Sequence, residues 1–435
     1  MDQIIIAVFL IVALFALFAA GLWIGLGLLA CGWIAMALFT SRPVGDAMVT
    51  TIWGASSSWT LTALPMFIWM GEILFRTKLS EDMFRGLAPW MTRIPGRLLH
   101  TNIIGCTIFA AVSGSSAATC ATIGKMSIPE LRARNYPEDL VIGTLAGAGT
   151  LGLLIPPSLI MIVYGVAAEV SIAKLFIAGI FPGMLLGGLF MGYIMVWSLL
   201  NPGRIPAPTE RYSFTEKLWA SRHLLPTVGL ILAVLGSIYV GVATATEAAG
   251  LGVVGALVIA AAQGTLNRKT FTESLLGATR LSCMIALILA GAAFLTLAMG
   301  FTGLPRNLAD WIDKMQFSTG ALIVVLMIFY ILLGCFLDGI SMVVLTMAVV
   351  LPMIERLGID LIWFGVFIVL VVEMAQITPP VGFNLFVLQG MTGHQITYIA
   401  RTALPLFLLM CVAVALIYFV PEIVTWLPGQ MIGPR

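Results

Sequence analysis

Four short stretches of this 435-residue chain gather the groups able to hold a small cation or an anion. Ser113-Gly-Ser-Ser116 and Asp338-Gly-Ile-Ser341 offer hydroxyls and one carboxylate. Thr144-Leu-Ala-Gly-Ala-Gly-Thr-Leu-Gly-Leu-Leu-Ile-Pro-Pro-Ser158 and Glu373-Met-Ala-Gln-Ile-Thr-Pro-Pro-Val-Gly382 each carry two adjacent prolines. Proline lacks an N–H and restrains the residue before it, so neither stretch continues as helix. Unwound backbone presents carbonyl oxygens, which a hard cation such as sodium takes as ligands without the cost of a buried charge. One cation site is predicted from Ser113, Gly114, Ser115 and Ser116 with Gly149, Thr150, Gly152 and Pro156. A second combines Asp338, Gly339 and Ser341 with Glu373, Thr378 and Pro379. Helices predicted to begin near Ser115, Ser158 and Ser341 would turn positive dipole ends inward, which suits a carboxylate substrate.

Each motif also has a plainer reading. Serine and glycine in membrane helices often serve close packing. Asp338 and Glu373 are costly at membrane depth and so read as functional, the alternative being a neutral, hydrogen-bonded structural acid. Lys125 is read as snorkelling to the interface rather than contacting substrate. Gly21-x-x-x-Gly25 and Gly187-Gly188 read as packing, and Glu72 and Glu247 as low-grade candidates near span ends.

The surroundings of these motifs are strongly apolar. Hydrophobic residues make up 60% of the chain and charged ones 10%, against about a quarter charged in a soluble domain, so the fold class is an all-α polytopic membrane protein. A net charge of +2 argues against nucleic acid as a partner. Cys31, Cys106, Cys120, Cys283, Cys335 and Cys411 sit in apolar segments without CxxC spacing and read as small core hydrophobes. The three histidines are scattered, and no nucleophile or metal spacing suggests an enzyme. The N-terminus lacks a basic n-region, so Ile4 onward reads as a retained first span.

A helical span needs about 20 apolar residues. The run Ile4 to Phe39 is therefore split near Ala20-Gly21, followed by a loop Thr40–Ser58 whose Ser56-Ser-Ser58 could cap the next helix. A span from Trp59 to Phe75 leads into a charged interfacial helix ending at Ile94-Pro-Gly96. Leu98–Val112 and a second arm to Pro129 flank the serine-rich turn as a re-entrant hairpin, about residues 98–128. A broken helix over about 138–168 and a long span Ile172–Leu200 complete the first half. The loop Asn201–Arg222, with Pro202, Pro206 and Pro208, is the boundary. Spans follow at Leu224–Val240, Ala245–Gln263 and Thr279–Gly300, then an interfacial stretch Leu304–Phe317. A second hairpin (about 322–352), a second broken helix (about 359–389) and a last span Ala400–Val420 close the chain.

The halves repeat. Pro129, Pro156 and Pro182 are spaced by 27 and 26 residues, and so are Pro352, Pro379 and Pro405. Pro157 matches Pro380 at the same offset, and Trp90 matches Trp311 within a two-residue shift. Residues 1–200 form the first repeat, 201–222 a cytoplasmic linker and 223–435 the second repeat. With the N-terminus outside, fifteen lysines and arginines fall on the cytoplasmic side and six outside: Arg42, Lys174, Arg306, Lys314, Arg356 and Arg435. That asymmetry fits the positive-inside rule and makes the two repeats inverted, the plan of alternating-access transporters.

Ser113-Gly-Ser-Ser-Ala-Ala-Thr119, Gly147–Ser158, Phe336-Leu-Asp-Gly339 and Ile377-Thr-Pro-Pro-Val-Gly-Phe-Asn-Leu-Phe386 resemble the large membrane subunit of tripartite ATP-independent periplasmic (TRAP) transporters, over essentially the whole chain. One departure is Ala375, where the family commonly has glycine. The resemblance implies a sodium-driven secondary transporter of the ion-transporter superfamily, with a scaffold and an elevator-type transport domain that carries the hairpins. It implies a bacterial inner-membrane location and two protein partners: a small four-helix membrane subunit and a periplasmic substrate-binding protein. The chain lacks the extra N-terminal helices of fused versions, so the small subunit is expected as a separate polypeptide. Substrates implied are organic acids, C4-dicarboxylates and sialic acids among them, bound between the hairpin tips at Ser115, Ser116, Pro157, Ser158, Ser341, Pro380 and Asn384. No cofactor is expected beyond the coupling ion. The other readings are a stand-alone carboxylate symporter or exchanger of the same superfamily and, further off, a channel.

Overall fold

The computed structural model describes residues 3–207, 212–303, 318–335, 337–380 and 382–431. Among them the ordered elements are helical. Five helices are long and apolar enough to cross a membrane, and up to seven spans result if two bent pairs are each one crossing. The interfacial stretch Leu304–Phe317, Phe336, Val381, and the basic residues Arg211, Arg306, Lys314 and Arg435 lie outside the described residues.

The opening apolar run is two helices, Gln3–Ala19 and Ile24–Phe39. Gly21 makes the turn between them with a left-handed φ of +82°, so it is a hinge residue rather than a packing one. Gly25 does pack: a Cβ there would lie 2.9 Å from the carbonyl oxygen of Leu287, and one on Gly291 would lie 2.5 Å from that of Gly25. The two backbones meet because neither residue has a side chain. The partner helix, Arg268–Thr302, has 35 residues and starts eleven residues before the predicted Thr279. Its polar first turns need no apolar surroundings if they project beyond the bilayer, so hydropathy alone marks the start too late.

Three further differences have local causes. The predicted loop Thr40–Ser58 contains a helix, Val44–Ser56, entered from Pro43 with Asp46 in its first turn, where the dipole favours an acid. Ser58 does precede the next element, the single 3₁₀ turn Trp59–Thr62 leading into Ala63–Phe75, but its side chain makes no capping bond. The linker loop holds a helix, Phe214–Ser221, nucleated by a reciprocal capping box between Ser213 and Glu216. Glu247 likewise closes a capping box with Thr244 at the start of Ala245–Ala262, which removes it from the candidate ligands. Glu72 is ion-paired with Arg76. Lys125 is exposed. Gly188 faces open space and Cys283 is exposed, so neither is the core residue expected.

Around the motifs, five helices follow one another twice. Leu99–Ser113, Ser116–Ala133, Glu138–Thr150, Leu159–Ala167 and Ile172–Leu200 are matched in order by Thr319–Leu333, Gly339–Arg356, Leu361–Gln376, Phe383–Thr392 and Ile396–Phe419. Both second arms run through their prolines, Pro129 and Pro352, and are longer than predicted. The breaks fall at residues 151–158 and 377–382. The chain then ends its described part in a helix the hydropathy did not single out, Glu422–Gly429.

Candidate functional site

The first hairpin turns at Gly114, whose φ of +60° ends Leu99–Ser113 and frees Ser115 to cap the next helix by accepting from the Ala118 N–H. The turn is tied inward by hydroxyls. Ser113 Oγ and Thr119 Oγ1 are 2.7 Å apart, and Thr119 also donates to the Ser115 carbonyl at 2.8 Å. The first break packs on this knot without intervening side chains. A Cβ on Gly152 would lie 2.5 Å from Ser115 O and 2.6 Å from Thr119 Oγ1, and one on Gly114 would lie 2.9 Å from Pro157 O. Leu159 donates its N–H to Gly114 O at 3.4 Å, while Ser158 caps the restarting helix by accepting from Met161. Gly149 is packed against Cys120 and Asn384, and Thr150 donates to its own helix at Gly147 O. Ser113, Gly114 and Ser116, the whole first break, and Ser158 are buried, and Ser115 is half-buried.

The second tip is built differently. Asp338 caps Gly339–Arg356, accepting from the Ile340 and Ser341 N–H groups at 3.1 and 3.2 Å and from the Ser341 hydroxyl. The helix therefore starts at Gly339, two residues before the predicted Ser341, and both carboxylate oxygens of Asp338 have a local partner. Cys335, at the end of the first arm, donates its thiol to Pro379 O at 3.3 Å. Thr378 Oγ1 donates back to Met374 O and the Gly382 N–H to Thr378 O, so the break closes on itself. The peptide bond between its prolines is cis, as is that between Pro156 and Pro157. Unlike their counterparts, Pro379 and Pro380 are exposed.

Two residues connect the breaks. Asn384 is fully buried and donates from Nδ2 to Ala146 O at 3.4 Å, with Oδ1 left unpaired. Glu373 is also fully buried, and neither carboxylate oxygen makes a well-formed hydrogen bond. The polar groups facing it are the amides of Leu153 and Leu154. Both belong to the first break, so Glu373 faces that break while standing in the helix that leads into the second. No pattern of spacing encodes a contact between residues 220 apart.

The donor set suits a hard monovalent cation. Ser113, Ser115 and Thr119 bring neutral oxygens together, and Glu373 adds a buried carboxyl group facing Leu153 and Leu154 of the first break. Among the described residues no three His, Cys, Asp or Glu side chains cluster, which leaves hydroxyls and backbone as the oxygen source. Thr119 joins the candidate donors, although the sequence reading does not single it out. Its signal was a hydroxyl one turn beyond the Ser115 cap, on the same helix face. A cavity of about 1100 Å³ lies beside the second hairpin, lined by Trp59, Glu169, Thr296, Val344 and Met347. It reaches one turn beyond Ser341 and touches none of the candidate residues.

Two hairpin tips seated on two broken helices were the features that resembled a transporter subunit, and comparison with known proteins decides the matter. Residues 11–423 match the family described as tripartite ATP-independent periplasmic transporter, DctM component. The chain belongs to the TRAP transporter DctM family. It is similar to the C4-dicarboxylate TRAP transporter large permease protein DctM of Pseudomonas aeruginosa, with 31% identity covering 92% of this chain and 93% of that one. It is also 32% identical to the ectoine/5-hydroxyectoine TRAP transporter large permease protein UehC of Ruegeria pomeroyi, over 90% and 91% of the two chains. In fold it resembles the YdaH transporter of Alcanivorax borkumensis, with a TM-score of 0.63 at 14% identity, covering 94% of this chain and 98% of the other. A TRAP large permease is a multi-pass membrane transporter subunit, not an enzyme, and the apolar helices agree with that.

Proposed function

We propose that this DctM-family subunit imports a carboxylate, delivered by a periplasmic binding protein, with sodium as the driving ion. The observation that carries the reading is the pair of junctions, Gly114 on Pro157 and Leu159, and Cys335 on Pro379, at the same place in two five-helix series. Each junction sets broken backbone against a hairpin tip, the arrangement in which transporters hold ion and substrate. The two series are inverted repeats, residues 1–200 and 223–435, joined by a cytoplasmic linker. The N-terminus is periplasmic and the membrane is the bacterial inner membrane, as the distribution of basic residues supports. The hairpins and broken helices move as one transport domain against a scaffold, in an elevator-type step. A small four-helix membrane subunit completes the permease.

Sodium binds at the first junction, with Ser113, Ser115, Thr119 and the backbone of 149–156 as donors and Glu373 close by. The carboxylate substrate binds between the tips. The solutes for which relatives are named support an organic substrate, C4-dicarboxylates and ectoine among them. The test is uptake into proteoliposomes holding both membrane subunits, with the binding protein added. Uptake should require a sodium gradient, and unchanged uptake when potassium replaces sodium would refute the coupling.

A further inference from the structure

Away from the tips, a cavity of about 700 Å³ opens between the amphipathic helix Leu79–Met91, the far end of Ser116–Ala133 and the linker helix Phe214–Ser221. Its charges are of both signs, and most are already engaged. Arg134 pairs with Glu130 at 3.4 Å. Glu216 is committed to its capping box, and His223 Nδ1 lies 3.3 Å from Asp82. Glu81 and Arg85 differ. They stand one turn apart on one helix, both exposed and both on the cavity wall, and neither has a hydrogen bond or ion pair to any described residue.

Trp219 of the cavity wall belongs to a helix with further exposed apolar side chains, and the next helix carries more. Phe214, Leu218 and Trp219 of the linker helix are 60–70% exposed, and Leu225 and Leu232 extend the strip along Leu225–Tyr239. Arg222 lies over Trp219 at 4.0 Å from the ring centre. Exposed tryptophan beside arginine marks the level where headgroups meet acyl chains. A free solute would have no use for that strip, whereas a lipid would lay its chains along it.

We propose that this cavity seats the headgroup of phosphatidylethanolamine, with its phosphate on Arg85 and its ammonium on Glu81. A guanidinium receives a phosphate through paired N–H donors, and an ammonium brings three donors to a carboxylate. Phosphatidylcholine keeps the phosphate but has no N–H to give Glu81, and phosphatidylglycerol has no cation at all. The bound lipid would span both amphipathic helices and the hairpin's second arm.

The experiment is native mass spectrometry of the delipidated full chain with equimolar phosphatidylethanolamine, phosphatidylcholine and phosphatidylglycerol. Phosphatidylethanolamine should be retained in preference, and E81Q and R85Q should each lower its retention about threefold, the size expected for one exposed charged contact. The remote exposed variant K269Q should leave it unchanged. Both test positions are exposed, so the variants keep the fold. Equal retention of the three lipids, preference for phosphatidylglycerol, or wild-type retention by E81Q and R85Q would overturn the proposal. Displacement of the lipid by soluble phosphoethanolamine at equal concentration would also overturn it, by making this a solute site.

Discussion

Leu159 donates its backbone N–H to the carbonyl of Gly114 across 3.4 Å, joining the first hairpin tip to the helix that restarts after the first break. The contact exists because position 114 has no side chain. Its φ of +60° is left-handed, and a Cβ would lie 2.9 Å from Pro157 O. Gly114→Ala should cost about 1–2 kcal/mol from the backbone conformation alone, and must also push the tip off the break. The expected outcome is a lowered melting temperature and sodium-driven uptake reduced about tenfold or more. Wild-type uptake by this variant would detach the tip from the transport cycle.

Thr119 is the hydroxyl on which the first tip is knotted, with Ser113 Oγ at 2.7 Å and Ser115 O at 2.8 Å. Thr119→Val keeps the volume and removes both bonds, at a cost of about 0.5–1.5 kcal/mol for each hydrogen bond lost. If these oxygens hold sodium, the sodium concentration for half-maximal uptake should rise by roughly tenfold, the value of about 1.4 kcal/mol. Thr119→Ser should restore it. A Val variant with an unshifted sodium curve would confine Thr119 to packing.

Much of this architecture was legible because proline and hydropathy act locally. Pro156-Pro157 and Pro379-Pro380 interrupt helix wherever they stand, so both breaks could be placed within a few residues. Short polar helices were harder. Ser213-Phe-Thr-Glu216 is written as a capping box, yet the prolines before it made the linker read as loop. Asp338-Gly-Ile-Ser341 likewise spells a cap, and both oxygens of that carboxylate bond to the first turn of its own helix. What had no local signal was the meeting of Glu373 with the amides of Leu153 and Leu154, which only the packed fold creates.

The linker helix should be sensitive to acid. Glu216 accepts from the Ser213 N–H and hydroxyl, and these bonds hold its carboxyl below the usual carboxylate range. A group with a depressed folded pKa stabilises above its unfolded pKa and loses that contribution as pH falls through the folded value. Amide hydrogen exchange of Phe214–Ser221, corrected for intrinsic rates, should therefore accelerate below about pH 4. Glu216→Gln should remove the pH dependence. An acid transition that persists in the Gln variant would place its origin elsewhere.

Glu373 is the sharpest probe of the cation site, since it is fully buried and its oxygens lack well-formed bonds. Glu373→Gln conserves volume, so the purified chain should remain monodisperse. The chemistry changes more than the shape. A carboxyl group can turn both oxygens toward the amides of Leu153 and Leu154, whereas glutamine replaces one oxygen with an NH₂ donor and carries no charge to offer a cation. One stranded buried polar group costs about 1–3 kcal/mol, which corresponds to roughly 5- to 150-fold in an equilibrium. Sodium-driven uptake should fall within that range, and the remaining activity should depend less steeply on sodium. If Glu373→Gln instead transports with an unaltered sodium curve, the carboxylate is a structural acid and the ion is held by the hairpin hydroxyls and carbonyls alone.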